Sequence, residues 1–175
     1  MTSYYGTGTG GLAEPDLATL NSDTRLVPAE EAMASTDFAM ARRLYEFWRS
    51  LAMGVPQSGQ LKVGMLDPSV MSNMVILDIL EESGDYQWRL FGTAHADQYG
   101  EDLTGRRISS VIKENPSVKA LLNIFDQTKT DPNGTFFELH YLNEGSRVKV
   151  ATGLMAPLGD EKGHIVQLCG CCDWC

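Results

Sequence analysis

Few residues in this chain are equipped for chemistry. There are three histidines, His95, His140 and His164. Four cysteines, Cys169, Cys171, Cys172 and Cys175, crowd into seven positions. Four thiolates suit a tetrahedral zinc ion, but a structural zinc site draws on two separated ligand pairs, and these lie on one continuous stretch. Cys172-Asp173-Trp174-Cys175 is also a C-x-x-C. A redox pair of that spacing normally sits at a helix start that lowers its thiol pKa, and no helical pattern accompanies it here. The expectation is therefore reduced thiols, with Cys169 packed in a last strand. A soft-metal or redox site on the four cysteines is the lesser alternative, and no metal is assigned. G-x-S-x-G, H-E-x-x-H and the phosphate-binding P-loop pattern are absent, and no histidine is spaced with a carboxylate for acid–base work. The chain reads as a non-enzyme, and its cofactor, if it has one, is unknown from sequence.

Charge narrows the partners. Twenty-three acidic and 14 basic residues leave a formal net charge of −9. That disfavours nucleic acid, whose phosphates require a basic surface. The first residues have neither the basic nor the apolar segment of a secretory signal. No apolar run reaches the ~20 residues of a membrane span. A cytoplasmic protein is expected. The Asn133-Gly134-Thr135 acceptor pattern is then a chance match, and so is Gly6/Gly8/Gly11, which matches G-x-G-x-x-G without a strand before it or a helix after it.

The elements that position these residues follow from periodicity. Residues 1–27 are polar and aperiodic and read as a flexible arm. Residues 28–54 read as a helical region. Pro28 suits a first helical position, and Ser35-Thr36-Asp37 offers a fresh N-cap. Phe38, Ala41, Leu44, Tyr45, Trp48, Leu51 and Ala52 then form one apolar stripe at helical spacing. Residues 55–69 form a loop closed by Asp67-Pro68. Residues 74–80 and 86–91 read as an antiparallel hairpin turning at Glu81-Glu82-Ser83-Gly84-Asp85. A helix follows at 116–129, capped by Asn115 and built on Val118, Leu121, Leu122 and Phe125. Strands at 135–142, 147–155 and 164–171 complete an antiparallel meander. The fold class is α+β: a five-stranded antiparallel sheet with helices inserted between its second and third strands, plus an N-terminal amphipathic helix.

That layout is the layout of a PAS domain, and the motifs sharpen the likeness. Leu44-Tyr45-Glu46-Phe47-Trp48-Arg49-Ser50-Leu51 resembles the opening helix of a bacterial PAS subfamily of the PAS_5 type, which begins on an LYxYW-like pattern. Arg89-Leu90-Phe91-Gly92-Thr93 and Gly100-Glu101-Asp102-Leu103-Thr104-Gly105-Arg106 resemble its RxxGT…DLTGR core. The resemblance places a PAS-like domain at 55–172 and leaves 173–175 as a Cys-containing tail. It implies a stand-alone sensory or signalling domain that binds a small ligand between sheet and helices and relays the event by protein contact. Trp88, Leu90, His95, Tyr99, Phe125, Phe137 and His140 are the candidate ligand-binding residues. Haem-binding relatives carry their iron ligand on the long helix before the third strand, and residues 116–129 contain no histidine. Blue-light relatives attack flavin with a cysteine near mid-domain, and none lies before Cys169.

Partners are expected to be a second copy of the chain and an unidentified signalling protein. The dimer contact is expected on Phe38, Leu44, Tyr45, Trp48 and Leu51. Two other functions stay open: a ligand-free interaction module whose cavity its own side chains fill, and a small-molecule enzyme on a cystatin-like barrel.

Overall fold

The computed structural model describes residues 24–142 and 148–174. Chain order is β1 (Arg25–Val27), α1 (Ala29–Ala34), α2 (Ala39–Ser50), α3 (Pro68–Ser72), β2 (Met74–Leu80), β3 (Asp85–Phe91), α4 (Thr93–Tyr99), α5 (Ile108–Glu114), α6 (Ala120–Thr130), β4 (Thr135–Leu142), β5 (Val148–Gly159) and β6 (Ile165–Trp174). One antiparallel sheet holds all six strands in the order β1-β4-β5-β6-β2-β3. The helices α4, α5 and α6 are inserted between the β2–β3 hairpin and the β4–β5–β6 meander, so the architecture is the PAS-like α+β layout that the element order implies.

Both faces of the sheet carry a core. On the inner face Val75, Leu77, Trp88, Phe137, Leu139 and Leu168 pack against Val111, Ile124 and Phe125 of α5 and α6. On the outer face Ile76, Phe136, Leu154, Leu158, Cys169 and Cys171 pack against Ala41, Leu44 and Trp48 of α2. Alternation of side chains along each strand serves the two cores in turn. Local signals end the elements as their chemistry requires. Asp67 accepts the Ser69 N–H at 2.9 Å ahead of Pro68, and Asn115 accepts the Ser117 N–H at 3.2 Å ahead of the α6 region.

Three expectations need correction. The sheet has six strands, not five. Arg25–Val27, assigned to a flexible arm, pairs with β4 in the register Arg25↔Glu138, and the Arg25 guanidinium bonds Glu138 at 2.8 Å and Glu31 at 2.9 Å. Three residues with one buried side chain, Val27, are too short to show a period. Residues 1–23 lie outside the described residues. The second correction concerns the C-terminal tail. Asp173 and Trp174 belong to β6 and pair with Thr152 and Ala151.

The third concerns the aromatic helix. Phe38, Leu44 and Trp48 are buried in the chain's own outer core, where they are not available to a dimer partner. Trp48 Nε1 donates to the Pro157 carbonyl at 2.9 Å. Tyr45 stacks on Trp48 and leans on Phe136, with ring centroids 6.1 and 5.2 Å apart. The stripe is wide because it has to cover β5 and β6. Only Tyr45 and Leu51 of the five stay half-exposed. Trp48→Ala should therefore cost about 3–5 kcal/mol of folding stability, the range for truncating a buried aromatic. Urea unfolding checks this. A variant that unfolds like the parent but loses self-association would return Trp48 to an interface role.

Candidate functional site

The inner face, α4, α6 and the segments leading into α5 and α6 line a cavity of about 60 Å³. Trp88, His95, Tyr99, Phe125 and Phe137, all expected from sequence, line it. Val75, Phe91, Leu103, Val118, Leu121, Leu139, Met155, Cys172 and Trp174 complete the lining and were not anticipated.

Leu90 and His140 do not reach the cavity. A β-bulge explains Leu90. The β2–β3 register runs Val75↔Phe91 and Ile76↔Leu90 and then jumps to Leu77↔Trp88, leaving Arg89 as the extra residue. The bulge reverses the alternation. Trp88 and Phe91 both face inward, and Leu90 joins the outer core. His140 misses by parity. Phe137 and Leu139 belong to the inner core and Phe136 to the outer, which puts 136, 138 and 140 on the outer face.

The Asp102–Arg106 run clasps that bulge. Asp102 Oδ1 accepts the Thr104 N–H at 2.9 Å and its hydroxyl at 2.7 Å, and these bonds hold the Asp102 carboxyl below its usual range. Thr104 Oγ1 accepts the Phe91 N–H at 3.2 Å. Gly105, at φ +83°, donates its N–H to the Trp88 carbonyl at 2.7 Å, and the Arg106 carbonyl accepts the Trp88 N–H at 3.0 Å. Arg106 is tied to Glu101 at 2.9 Å and Glu114 at 2.7 Å. Backbone groups of Trp88 and Phe91 on the open edge of β3 are thus satisfied, and Leu103 is delivered into the cavity wall.

Gly92 sets the position of His95. Its N–H donates to the Met74 carbonyl at 2.8 Å, and a Cβ there would lie 2.3 Å from the Ser72 carbonyl oxygen. Only glycine lets α4 start this close to β2. His95 then sits beneath Asn73, with Nε2 2.6 Å from the Asn73 carbonyl. A carbonyl accepts only, so Nε2 carries the proton and Nδ1 is bare. Burial pushes the His95 pKa down to about 4, so the ring is neutral at pH 7. Its ring meets Trp174 edge-on at 5.1 Å and Phe91 at 5.4 Å.

The cysteines do not converge. Cys169 and Cys171 belong to the outer core and Cys172 to the inner, so the sheet separates them, and Cys175 lies outside the described residues. Burial pushes the Cys169 thiol up to about 12 and raises those of Cys171 and Cys172 as well. Strand alternation therefore overturns a four-thiolate site. No cluster of three or more metal-ligating side chains occurs among the described residues.

Asp173 faces the outer side between Cys172 and Trp174. Both of its carboxylate oxygens accept the Met40 N–H at 3.0 Å, and Oδ2 accepts the Ala41 N–H at 3.2 Å. A side chain of the last strand thereby caps the first turn of α2. Partial burial raises the Asp173 pKa against the lowering effect of those bonds.

No protein-family model and no curated protein sequence matches the chain. Among solved structures it resembles a PAS domain from Colwellia psychrerythraea, at 13% identity over 58% of this chain and 84% of that one, with a TM-score of 0.44. It also resembles a light-oxygen-voltage domain from a flavin-analogue study, at 13% identity over 61% and 79%, TM-score 0.44. A variant of Vivid is similar at 15% identity over 81% and 97%, TM-score 0.47.

The depressed His95 pKa gives a pH prediction. The unfolded imidazole, with pKa about 6.5, takes up a proton that the folded one refuses. Between pH 6.5 and about 4 the unfolded state binds more protons, so stability is full above pH 6.5 and falls as pH drops through that window. The loss approaches about 3 kcal/mol at its limit. Urea unfolding at pH 7.5 and pH 4.5, compared with His95→Gln, should show a shallower pH dependence in the variant. Parallel profiles would mean that His95 is not the titrating group.

Proposed function

We propose that the chain is a PAS-like sensory domain. It admits a small apolar ligand to the inner cavity and reports occupancy by protein contact through α2. The observation that carries this is the end of β6: Cys172 and Trp174 line the cavity, and Asp173 between them caps α2 on the opposite face. The Cys172 N–H also donates to the Asn73 carbonyl, at 3.4 Å, which accepts from His95 too. A guest that displaces His95 or Trp174 therefore moves the strand that holds the helix. It shifts the equilibrium only as far as it binds one arrangement better than the other. The apolar lining excludes charged guests, and about 60 Å³ suits a guest of a few heavy atoms. The protein that reads α2 is a signalling partner or a second copy, meeting the half-exposed Tyr45 and Leu51.

A second reading rests on the same small volume. With its aromatics filling most of the space, the domain acts as a ligand-free interaction module. An enzymatic role has less support. His95 is committed to a backbone carbonyl, and the His164–Asp160 pair, at 3.3 Å, sits in the β5–β6 turn, outside the cavity lining.

Dissolved xenon, an uncharged probe of apolar cavities, separates the two readings. Saturable amide shifts at Trp88, His95 and Cys172, with a second set at Met40 and Ala41, are expected. Shifts confined to the cavity would refute the relay, and none at all would leave the interaction module. Asp173→Ala should cost about 1 kcal/mol as the loss of a helix cap and should abolish the second set while leaving the first.

A further inference from the structure

The outer face holds another pocket, more open to solvent than the inner cavity, at about 280 Å³. That approaches the lower end of the range for small-molecule sites, about 300 Å³. Ile76 and Leu61, each still 8% exposed, give it a small apolar patch above the buried Leu158, and the 58–61 segment forms its wall. The wall is anchored independently of any guest. Gln57 and Gln60 exchange hydrogen bonds at 2.9 and 2.8 Å, Gln60 Nε2 donates to the Leu51 carbonyl at 3.1 Å, and the Gly159 N–H donates to the Pro56 carbonyl at 2.8 Å.

Its polar end is built on Arg89, the residue expelled by the β3 bulge. Asp78 holds the guanidinium through Nε alone, at 2.9 and 3.1 Å, and is itself held by Gln167 Nε2 at 2.7 Å. The two Nη groups, with their parallel N–H bonds, have no partner among the described residues. The Arg89 side chain is 60% exposed, so this edge is accessible. A guanidinium fixed at Nε and open end-on is preorganised for a planar two-oxygen acceptor. Asp78 already offsets one positive charge, and the chain as a whole is at −9, so a singly charged carboxylate suits the site better than a dianionic phosphate.

We propose that this groove binds a small organic monocarboxylate, with its carboxylate on the Nη edge of Arg89 and its apolar body against the exposed edges of Leu61 and Ile76. The site lies on the opposite face of the sheet from the inner cavity and does not depend on the function assigned to that cavity.

Amide chemical shifts followed during titration with benzoate, hexanoate and benzyl alcohol test it. Saturable shifts at Ser58, Gly59, Leu61 and Gln167 are expected with at least one of the two carboxylates, and at least about tenfold weaker binding is expected for the alcohol. Arg89→Gln should weaken carboxylate binding about tenfold or more, and Arg89→Lys should restore only part of it, because it keeps the charge but loses the fork. Both variants should melt within a few degrees of the parent, since the Arg89–Asp78 pair is exposed on an edge strand and such pairs contribute little to stability. Four results would overturn the proposal: no saturable shift with either acid, equal binding of the alcohol, undiminished binding to Arg89→Gln, or shifts confined to Trp88, Phe91 and His95.

Discussion

Strands β5 and β6 are buried on both faces, and much of the structure follows from that constraint. Residues 151–159 and 168–172 are buried without a break. Each residue in these runs must fit one of two cores, and its neighbour must fit the other. Polar side chains are tolerated only where a partner is at hand. Thr152 bonds the Asp37 carbonyl, and Asp173 takes two N–H groups of α2. Gly153 shows how tight the layers are, because a Cβ there would lie 2.6 Å from the Phe137 ring and 2.7 Å from the Cys171 carbonyl oxygen. The missing side chain is what makes room for the tip of the Phe137 ring, which forms part of the cavity wall.

The same constraint governs what could be seen in the sequence. A strand covered on one side alternates, but a strand covered on both reads as a continuous small or apolar run. Leu168-Cys169-Gly170-Cys171-Cys172 is such a run. Read as a tail motif it suggests shared thiol chemistry, and read as a doubly buried strand it assigns its cysteines to opposite faces. The α2 stripe, the hairpin, the Asn115–Pro116 start and the meander were legible because each carries a period or a cap. Of the seven residues expected at the cavity five line it, since aromatic side chains on an inserted-helix fold have few other places to go, while nine further lining residues were not foreseen. Leu90 was lost to the bulge and His140 to strand parity. A bulge leaves no mark in composition. Its trace here is the Asp102–Arg106 run, whose backbone partners are the residues on either side of Arg89.

One irregularity in β3 therefore has consequences on both faces. Inward, it sets Trp88 and Phe91 side by side, with ring centroids 5.8 Å apart and edge-on, at the cavity wall. Outward, it places Arg89 beside Asp78 and Gln167 above a small apolar patch. A regular strand would have put position 90, not 91, beside Trp88 on the inner face. The clasp at 102–106 keeps this arrangement from slipping, because it gives the open-edge backbone groups of Trp88 and Phe91 fixed partners.

The way α2 is held suggests which end of it can move. Near its C-terminus Trp48 is bonded to Pro157 on β5, within a fully packed outer core. At its N-terminus the helix is held by a half-buried carboxylate on the final strand, with the Thr152 hydroxyl on the Asp37 carbonyl and the buried Phe38 ring just ahead of it. A carboxylate suits that position because it faces the positive end of the helix dipole and can accept more than one N–H at once. Its desolvation works against it, which is why its pKa is raised and not lowered. The sign is opposite to that of His95. A raised carboxylate pKa means that folding becomes less favourable as Asp173 loses its proton with rising pH, because desolvation of the anion outweighs the N–H bonds that favour it, whereas His95 favours folding as its proton is lost. The two groups, joined through Trp174 and the shared strand end, oppose one another across acidic pH. On the proposed mechanism, Trp48 is the pivot of α2 and Asp173 the contact through which a guest in the cavity reaches it.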